Sequence, residues 1–368
     1  MRLLRPAGRT AVVGNAGRDK RSRCAERSAH LGNGIVLYTS EIEKTAGRSG
    51  LSIDQSKLDI IPDVHADIER LTSTLSYLGY RETEQSWVHP EGRIAAFLGD
   101  FIDMGTHNAA VIALVRAMES HGHAIAIMGN HELNALLYHE RGENSESTAD
   151  GFMRAHSAKN TDQHRTFLDE FPVGSPKTRD VLDWFLTLPV FLDLPGIRLV
   201  HAYWDSACIA TIRLRNDDGR LQRSDLQELA FEDQATPFAT AVLSTLKGPE
   251  AELPHPHTFY DVKGHLRTSV RLKWWEAEAR TWRGSALSID DRELLPDTLI
   301  PNHAGRTFYG AAEKPVFFGH YKLYGIPEVN ARNALCLDHP RQPCAYRWNG
   351  EPELKKENLI LIPTPASL

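Results

Sequence analysis

LDIIPDVH, residues 58–65, sets a largely apolar run directly against an aspartate and a histidine two places apart. Four other segments share that design: RIAAFLGD ends at Asp100, AIAIMGNHE at Glu132, IRLVHA at Ala202 and PVFFGH at His320. Short apolar runs bounded by turn residues read as strands buried on both faces. Their polar ends then gather along one edge of a sheet, where α/β folds keep their chemistry.

Working outward, the intervals between the runs change to helical spacing. ADIERLTSTLSYLGY places Ile68, Leu71, Leu75 and Leu78 on one face, with Gly79 where a C-terminal cap would fall. HNAAVIALVRAMESHG does the same with Val111, Ile112, Leu114, Val115 and Met118, and a further helix is expected to open near His131. Strand alternating with helix predicts right-handed βαβ crossovers. From Gly142 to Arg179 the composition turns polar, which predicts a surface excursion or cap helices, and helical periodicity returns in VLDWFLTLPVFL, residues 181–192. More than a hundred residues separate His201 from His320, too many for a structureless loop. That interval holds the basic segment FYDVKGHLRTSVRLKWW, with Lys263, His265, Arg267, Arg271, Trp274 and Trp275. The expected organisation is a basic extension over 1–55, a domain over 56–350 with insertions near 142–180 and 205–312, and a tail over 351–368.

Composition narrows the function classes. A net charge of −6 gives no general attraction to nucleic acid or anionic membranes, and no apolar run is long enough to span a bilayer. Cys24, Cys208, Cys336 and Cys344 show no CxxC pair, which suits free thiols in a reducing compartment and a cytoplasmic location. The first fifty residues carry ten Lys or Arg against four Asp or Glu, without sustained periodicity, and read as a flexible extension rather than a targeting segment.

Asp63 and His65 converge once their strand becomes a loop, and oxygen plus imidazole nitrogen suits a first-row divalent ion. Asp100 can bridge that ion to a second, with Asn130, His201 and His320 completing the shell. Two ions about 3.5–4 Å apart activate a shared water and clamp the oxygens of an in-line displacement. Their positive charge exceeds that of two aspartates and a bridging hydroxide, which favours a phosphate. His131 follows Asn130 and is placed to protonate a leaving alkoxide, Asp103 is its partner, and Glu132 supports the loop.

DVH, GDFIDMG, GNHE, VHA and GH, in this order, resemble the calcineurin-like metallophosphoesterase superfamily, and GDxxDxG with GNHE resembles its Ser/Thr phosphoprotein phosphatase branch. HAYWD, FFGHY and CLD are similar to a less characterised bacterial group within it. The resemblance implies an α/β fold of two mixed sheets packed face to face and flanked by helices, with inserted cap segments. It implies two divalent ions, manganese, iron or zinc with manganese favoured, held by Asp63, His65, Asp100, Asn130, His201 and His320, and an acid pair of His131 and Asp103. It also implies a phosphorylated small molecule, nucleotide or phosphoprotein as substrate.

Departures cluster around that substrate. Met104 stands where the branch has an arginine that grips phosphate, Pro62 and Ala66 flank the first motif where glycine is common, and Ala202 follows His201 where glycine is usual. Arg267 or Arg271 is the expected replacement cation, and Tyr321 the expected pocket wall. Phosphomonoester hydrolysis is the leading reading. Dinucleoside polyphosphate cleavage of the diadenosine tetraphosphate type, cyclic phosphodiester cleavage, and a metal-binding scaffold without turnover are the alternatives. His107, His121, His123, His139, His156 and His164 read as solvated, and Trp274 and Trp275 as packing residues.

Overall fold

Leu58–Ile61 forms β1, and its side chains alternate between two cores: Leu58 and Ile60 face one, Ile61 the other. The computed structural model describes residues 56–363 except 143–147, 149, 231–235, 261–263, 277–278, 288, 290 and 302–307. The expected extension over 1–55, and Lys263, therefore lie outside the described residues.

From β1 the chain enters α1 (Ile68–Leu78), capped at one end by the Asp67 carboxylate and at the other by Gly79 at φ 100. Then come β2 (Ile94–Phe97), α2 (Asn108–Ser120), β3 (Ala124–Ala126) and α3 (Asn130–His139). The polar stretch expected to be a surface excursion or cap helices holds α4 (Ala158–Glu170) and the start of α5 (Pro176–Phe185). Helix does not continue through VLDWFLTLPVFL. It ends at Phe185, and Phe191–Asp193 is β4, because Pro189 can neither donate to a helix nor fit its preceding turn. β5 (Arg198–Val200), α6 (Ser206–Arg215) and α7 (Pro237–Lys247) follow, then β6 (Glu250–Glu252), β7 (Ser269–Leu272) and β8 (Ala286–Leu287), and finally β9 (Val316–Phe318), β10 (Ala334–Cys336), β11 (Cys344–Trp348) and β12 (Leu359–Leu361).

Two mixed sheets result. One has the order β12-β11-β1-β2-β3, with β1, β2 and β3 parallel; the other runs β10-β9-β5-β4, with β10, β9 and β5 parallel. β12 pairs with β11, so sheet continues into the stretch expected to be a tail. Leu58, Ile60, Ala96, Ile127, Leu199, Phe317 and Tyr346 fill a core between the sheets. Ile61, Phe97, Val200 and Phe318, on the opposite faces, pack with helix residues such as Leu75, Val115 and Ile212. Period-two alternation on two-sided strands therefore builds four layers: helix, sheet, sheet, helix. The long interval before β9 carries its own antiparallel sheet, β8-β7-β6, with a separate small core around Leu272 and Trp282. No helix among the described residues is long and apolar enough to cross a membrane.

Candidate metal centre

The parallel strands of both sheets deliver their C-terminal ends to one place. β1 leads to Asp63 and His65, β2 to Asp100, β3 to Asn130, β5 to His201 and β9 to His320. The connecting turns are unusual. Among the described residues, the non-glycine positions with positive φ are His65, Ala66, Asp100, Asp103, Met104, His320 and Lys322, all within these loops. Each costs roughly 1–2 kcal/mol relative to an ordinary backbone, so strain is concentrated where the polar side chains meet. Ala66, at φ 54, holds a conformation glycine would adopt freely. Glycine is obligatory elsewhere: a Cβ on Gly319 would lie 1.9 Å from Asp63 Oδ1, and one on Gly99 would lie 2.4 Å from the Gly129 nitrogen.

Glu132 ties two of the turns together. Fully buried, it accepts hydrogen bonds from the Asp100 and Gly129 amides through Oε2, both at 2.9 Å, and from the Phe101 amide through Oε1 at 2.8 Å. Asp100 Oδ1 in turn accepts from the His131 amide at 3.0 Å.

The side chains brought together form two overlapping groups. His65, Asp100 and His131 have donor atoms within 4.8 Å of one another, as do Asp63, Asp100 and His201. Asp100 belongs to both. Asn130 Oδ1 lies 3.0 Å from His201 Nε2 and 2.7 Å from His320 Nδ1. His201 Nδ1 donates to the Leu98 carbonyl at 2.8 Å, which leaves Nε2 as the atom facing the cluster. His65 Nε2 and His320 Nε2 are buried with no hydrogen-bond partner. Buried polar atoms are ordinarily satisfied, so these two imidazoles fit ligands to a cation. Mixed nitrogen and oxygen donors suit a first-row divalent ion.

Electrostatics matches that fit. Burial and the neighbouring Asp338 raise the Asp63 carboxyl well above its usual range, while burial lowers His65 to about 4. Burial opposes a charge on His201, yet the Asp100 carboxylate outweighs it and lifts the imidazole to about 10. Burial likewise opposes the charge on Asp100, and His201 and His131 hold it ionised. Carboxylates and imidazoles thus offset one another in a largely buried cluster.

His131 Nδ1 donates to Asp103 Oδ2 at 2.6 Å, the pairing expected of an acid and its holder. Against its own burial, Asp100 and Asp103 lift His131 to about 9. Asp103 Oδ1 accepts from His164 Nδ1 at 2.8 Å, and His164 Nε2 lies 3.1 Å from His139 Nε2. His139 and His164 are therefore not solvated as the sequence suggested but 8% and 4% exposed. The signal was present in α4: His164 and Phe167 lie three residues apart on one helix face and stack at 4.7 Å.

The three expected substrate residues differ in their surroundings. Tyr321 is buried, and its hydroxyl donates to the Ala202 carbonyl at 3.0 Å. Trp274 Nε1 donates to the same carbonyl at 2.9 Å, so the pair supports the His201 turn, and both tryptophans are packing residues as expected. Arg267 is exposed in the short strand Leu266–Arg267, paired with Phe259–Tyr260. Arg271 lies in β7, where its charge is felt by His320, and its Nε donates to Glu250 Oε1 at 3.3 Å. Asp338, just past β10, was assigned no role from sequence, yet it is 3% exposed and acts on Asp63.

Several known proteins are similar to parts of this chain. A curated bis(5'-nucleosyl)-tetraphosphatase (asymmetrical) from Halalkalibacterium halodurans is 41% identical over 75 residues, 20% of this chain and 30% of that protein. Its counterpart from Oceanobacillus iheyensis is 29% identical over 147 residues, 40% of this chain and 55% of that protein. The chain thus spans between 30% and 55% of the length of these relatives. Among solved structures, a Saccharomyces cerevisiae protein serine/threonine phosphatase with similarity to human phosphatase PP5 aligns over 84% of this chain and 81% of that chain, at 14% identity and a TM-score of 0.43. A cold-active protein-tyrosine phosphatase of a Shewanella species aligns over 83% of this chain and 80% of that chain, at 13% identity and a TM-score of 0.39. Residues 56–233 match the calcineurin-like phosphoesterase family.

Proposed function

We propose that the chain is a metal-dependent phosphoester hydrolase with a binuclear centre, acting on a phosphomonoester. The observation that carries this reading is the position of Asp100, shared by both donor groups, with the His131–Asp103 pair beside it. Asp63, His65, Asp100, Asn130, His201 and His320 hold the ions, with manganese favoured and iron and zinc compatible with the same donors. Divalent ions bound there supply Lewis acidity and an activated water. Asp103 Oδ2 keeps the His131 Nδ1 proton in place, so Nε2 is the atom that gives a proton to the leaving oxygen. Glu132 fixes the turn that sets Asp100 against His131.

A second reading has a specific observation behind it. The curated relatives are named bis(5'-nucleosyl)-tetraphosphatases, which favours a dinucleoside polyphosphate as substrate. The two readings separate by experiment. Protein stripped with chelator and reloaded with manganese is assayed on p-nitrophenyl phosphate and on diadenosine tetraphosphate, with metal content measured in parallel. Two equivalents of metal with turnover lost on chelation is the expected result, and the better substrate chooses between the readings. Two bound equivalents with no turnover of either compound, or of a cyclic phosphodiester, would leave a metal-binding scaffold instead.

A further inference from the structure

Lys322 lies two residues past His320, on the loop after β9. Its backbone is left-handed at φ 48, two positions after His320 at φ 72. The turn is anchored twice to Asp338: the Lys322 amide donates to its Oδ2 at 2.8 Å, and the Leu323 amide to its carbonyl at 2.8 Å. Lysine gains nothing intrinsic from that conformation, so buried contacts at Asp338 hold it there. The result is a side chain directed at Met104, with Nζ 3.2 Å from the thioether sulfur. A thioether is a weak, uncharged acceptor. Among the described residues, no carboxylate forms an ion pair with this ammonium, whereas Arg271 is paired with Glu250. Lys322 and Met104 line one open cleft with Asp63, His65, Gly105 and Asp338.

An ammonium that acts on Asp338 but forms no close ion pair, at the mouth of a metal centre, has an evident counterpart. We propose that Lys322 is a substrate-contacting residue whose ammonium takes a non-bridging oxygen of the phosphoester, with Met104 packed against it. This assignment rests on the phosphoesterase reading above. Lysine serves here as a point charge with three donors, which suits a tetrahedral phosphate oxygen without demanding a planar fork.

The test uses the manganese-loaded full chain and inorganic phosphate as the probe. Phosphate binding is measured by calorimetry for wild type, Lys322→Ala, Lys322→Arg and Lys322→Ala with Met104→Arg, alongside metal content and thermal melting. Lys322→Ala is expected to weaken phosphate about tenfold with metal content and melting unchanged, the loss of one hydrogen bond to a charged group. Lys322→Arg is expected to stay within about threefold of wild type, and the double variant to regain most of the affinity, because side chains 104 and 322 meet in the same space. Phosphate affinity in Lys322→Ala within about twofold of wild type, while wild type still hydrolyses p-nitrophenyl phosphate, overturns the lysine assignment alone. Metal loss in step with phosphate loss overturns it as well. Wild type that neither binds phosphate nor hydrolyses any phosphoester overturns the phosphoesterase reading and this assignment with it.

Discussion

Replacing Glu132 with glutamine changes one atom and removes one charge from a side chain that carries three backbone hydrogen bonds. Glutamine keeps its oxygen toward the Asp100 and Gly129 amides, and its NH2 then faces the Phe101 amide, donor against donor. One charge-assisted bond is lost outright, about 1.5–3 kcal/mol, and the two retained bonds fall from charged to neutral strength, so the total is about 3–5 kcal/mol. Burial and the neighbouring Asp100 carboxylate push Glu132 up to about 7, so at about pH 8, where the wild-type carboxylate is ionised, removing the charge also relieves up to about 3 kcal/mol and leaves a net loss of about 0–2 kcal/mol. Urea denaturation of metal-free protein reads the loss directly, with the slope unchanged and the midpoint lowered. Because the same contacts hold Asp100, manganese affinity is expected to fall roughly 10- to 100-fold. Manganese affinity of Glu132→Gln within about twofold of wild type would refute the reasoning, since the turn would then hold Asp100 without the Glu132 carboxylate.

Three further outcomes follow from the same geometry. Gly319→Ala forces the Asp63 carboxylate aside, because the added Cβ lies 1.9 Å from Oδ1, and about 10- to 100-fold weaker metal binding in a competition titration is expected; unchanged affinity would mean Asp63 is not needed there. His164→Phe keeps the stack on Phe167 but leaves Asp103 Oδ1 without its donor, and kcat on p-nitrophenyl phosphate should drop about tenfold at unchanged metal content and KM. Glu119 is raised from 4.5 to about 7 by burial, although Trp184 Nε1 donates to its carboxylate at 3.0 Å. A carboxyl whose folded value lies above its unfolded one favours the folded state fully below about pH 4.5, and that contribution is lost as pH rises to about 7. Glu119→Gln should therefore match wild type near pH 4 and exceed it at pH 8 by up to about 3 kcal/mol; equal denaturation midpoints at pH 8 would count against the assignment.

The strands were legible because two-sided burial leaves an almost uninterrupted apolar run, and each run here ends in a polar residue that has nowhere to go but the sheet edge. The helix after β1 was equally plain, since Leu71, Leu75 and Leu78 repeat at helical spacing up to Gly79. What sequence hid was polar burial. His139 and His164 look like surface residues until α4 folds back over α3 and Asp103 accepts a second imidazole. Tyr321 packs edge-on against His320 and bonds onto Ala202 and Trp274, a supporting role that its place in the chain did not reveal. Lys322 had no motif at all, because its direction comes from a left-handed turn held by Asp338, sixteen residues further along. Pro189 was visible, yet the apolar run around it concealed that it separates a helix from a strand.

The centre is drawn from both sheets, and its members are far apart in the chain: the His320 amide donates to Asp63 across 257 residues. During synthesis, Asp63, His65, Asp100 and Asn130 emerge early on one half of the sandwich. His201 comes later, and β9 with His320 later still. The family segment 56–233 therefore lacks one of the six proposed donors however well it folds. Assembly order makes the metal a latecomer: full loading waits until the second sheet has closed on the first, so a chain truncated before β9 should remain an incomplete chelator.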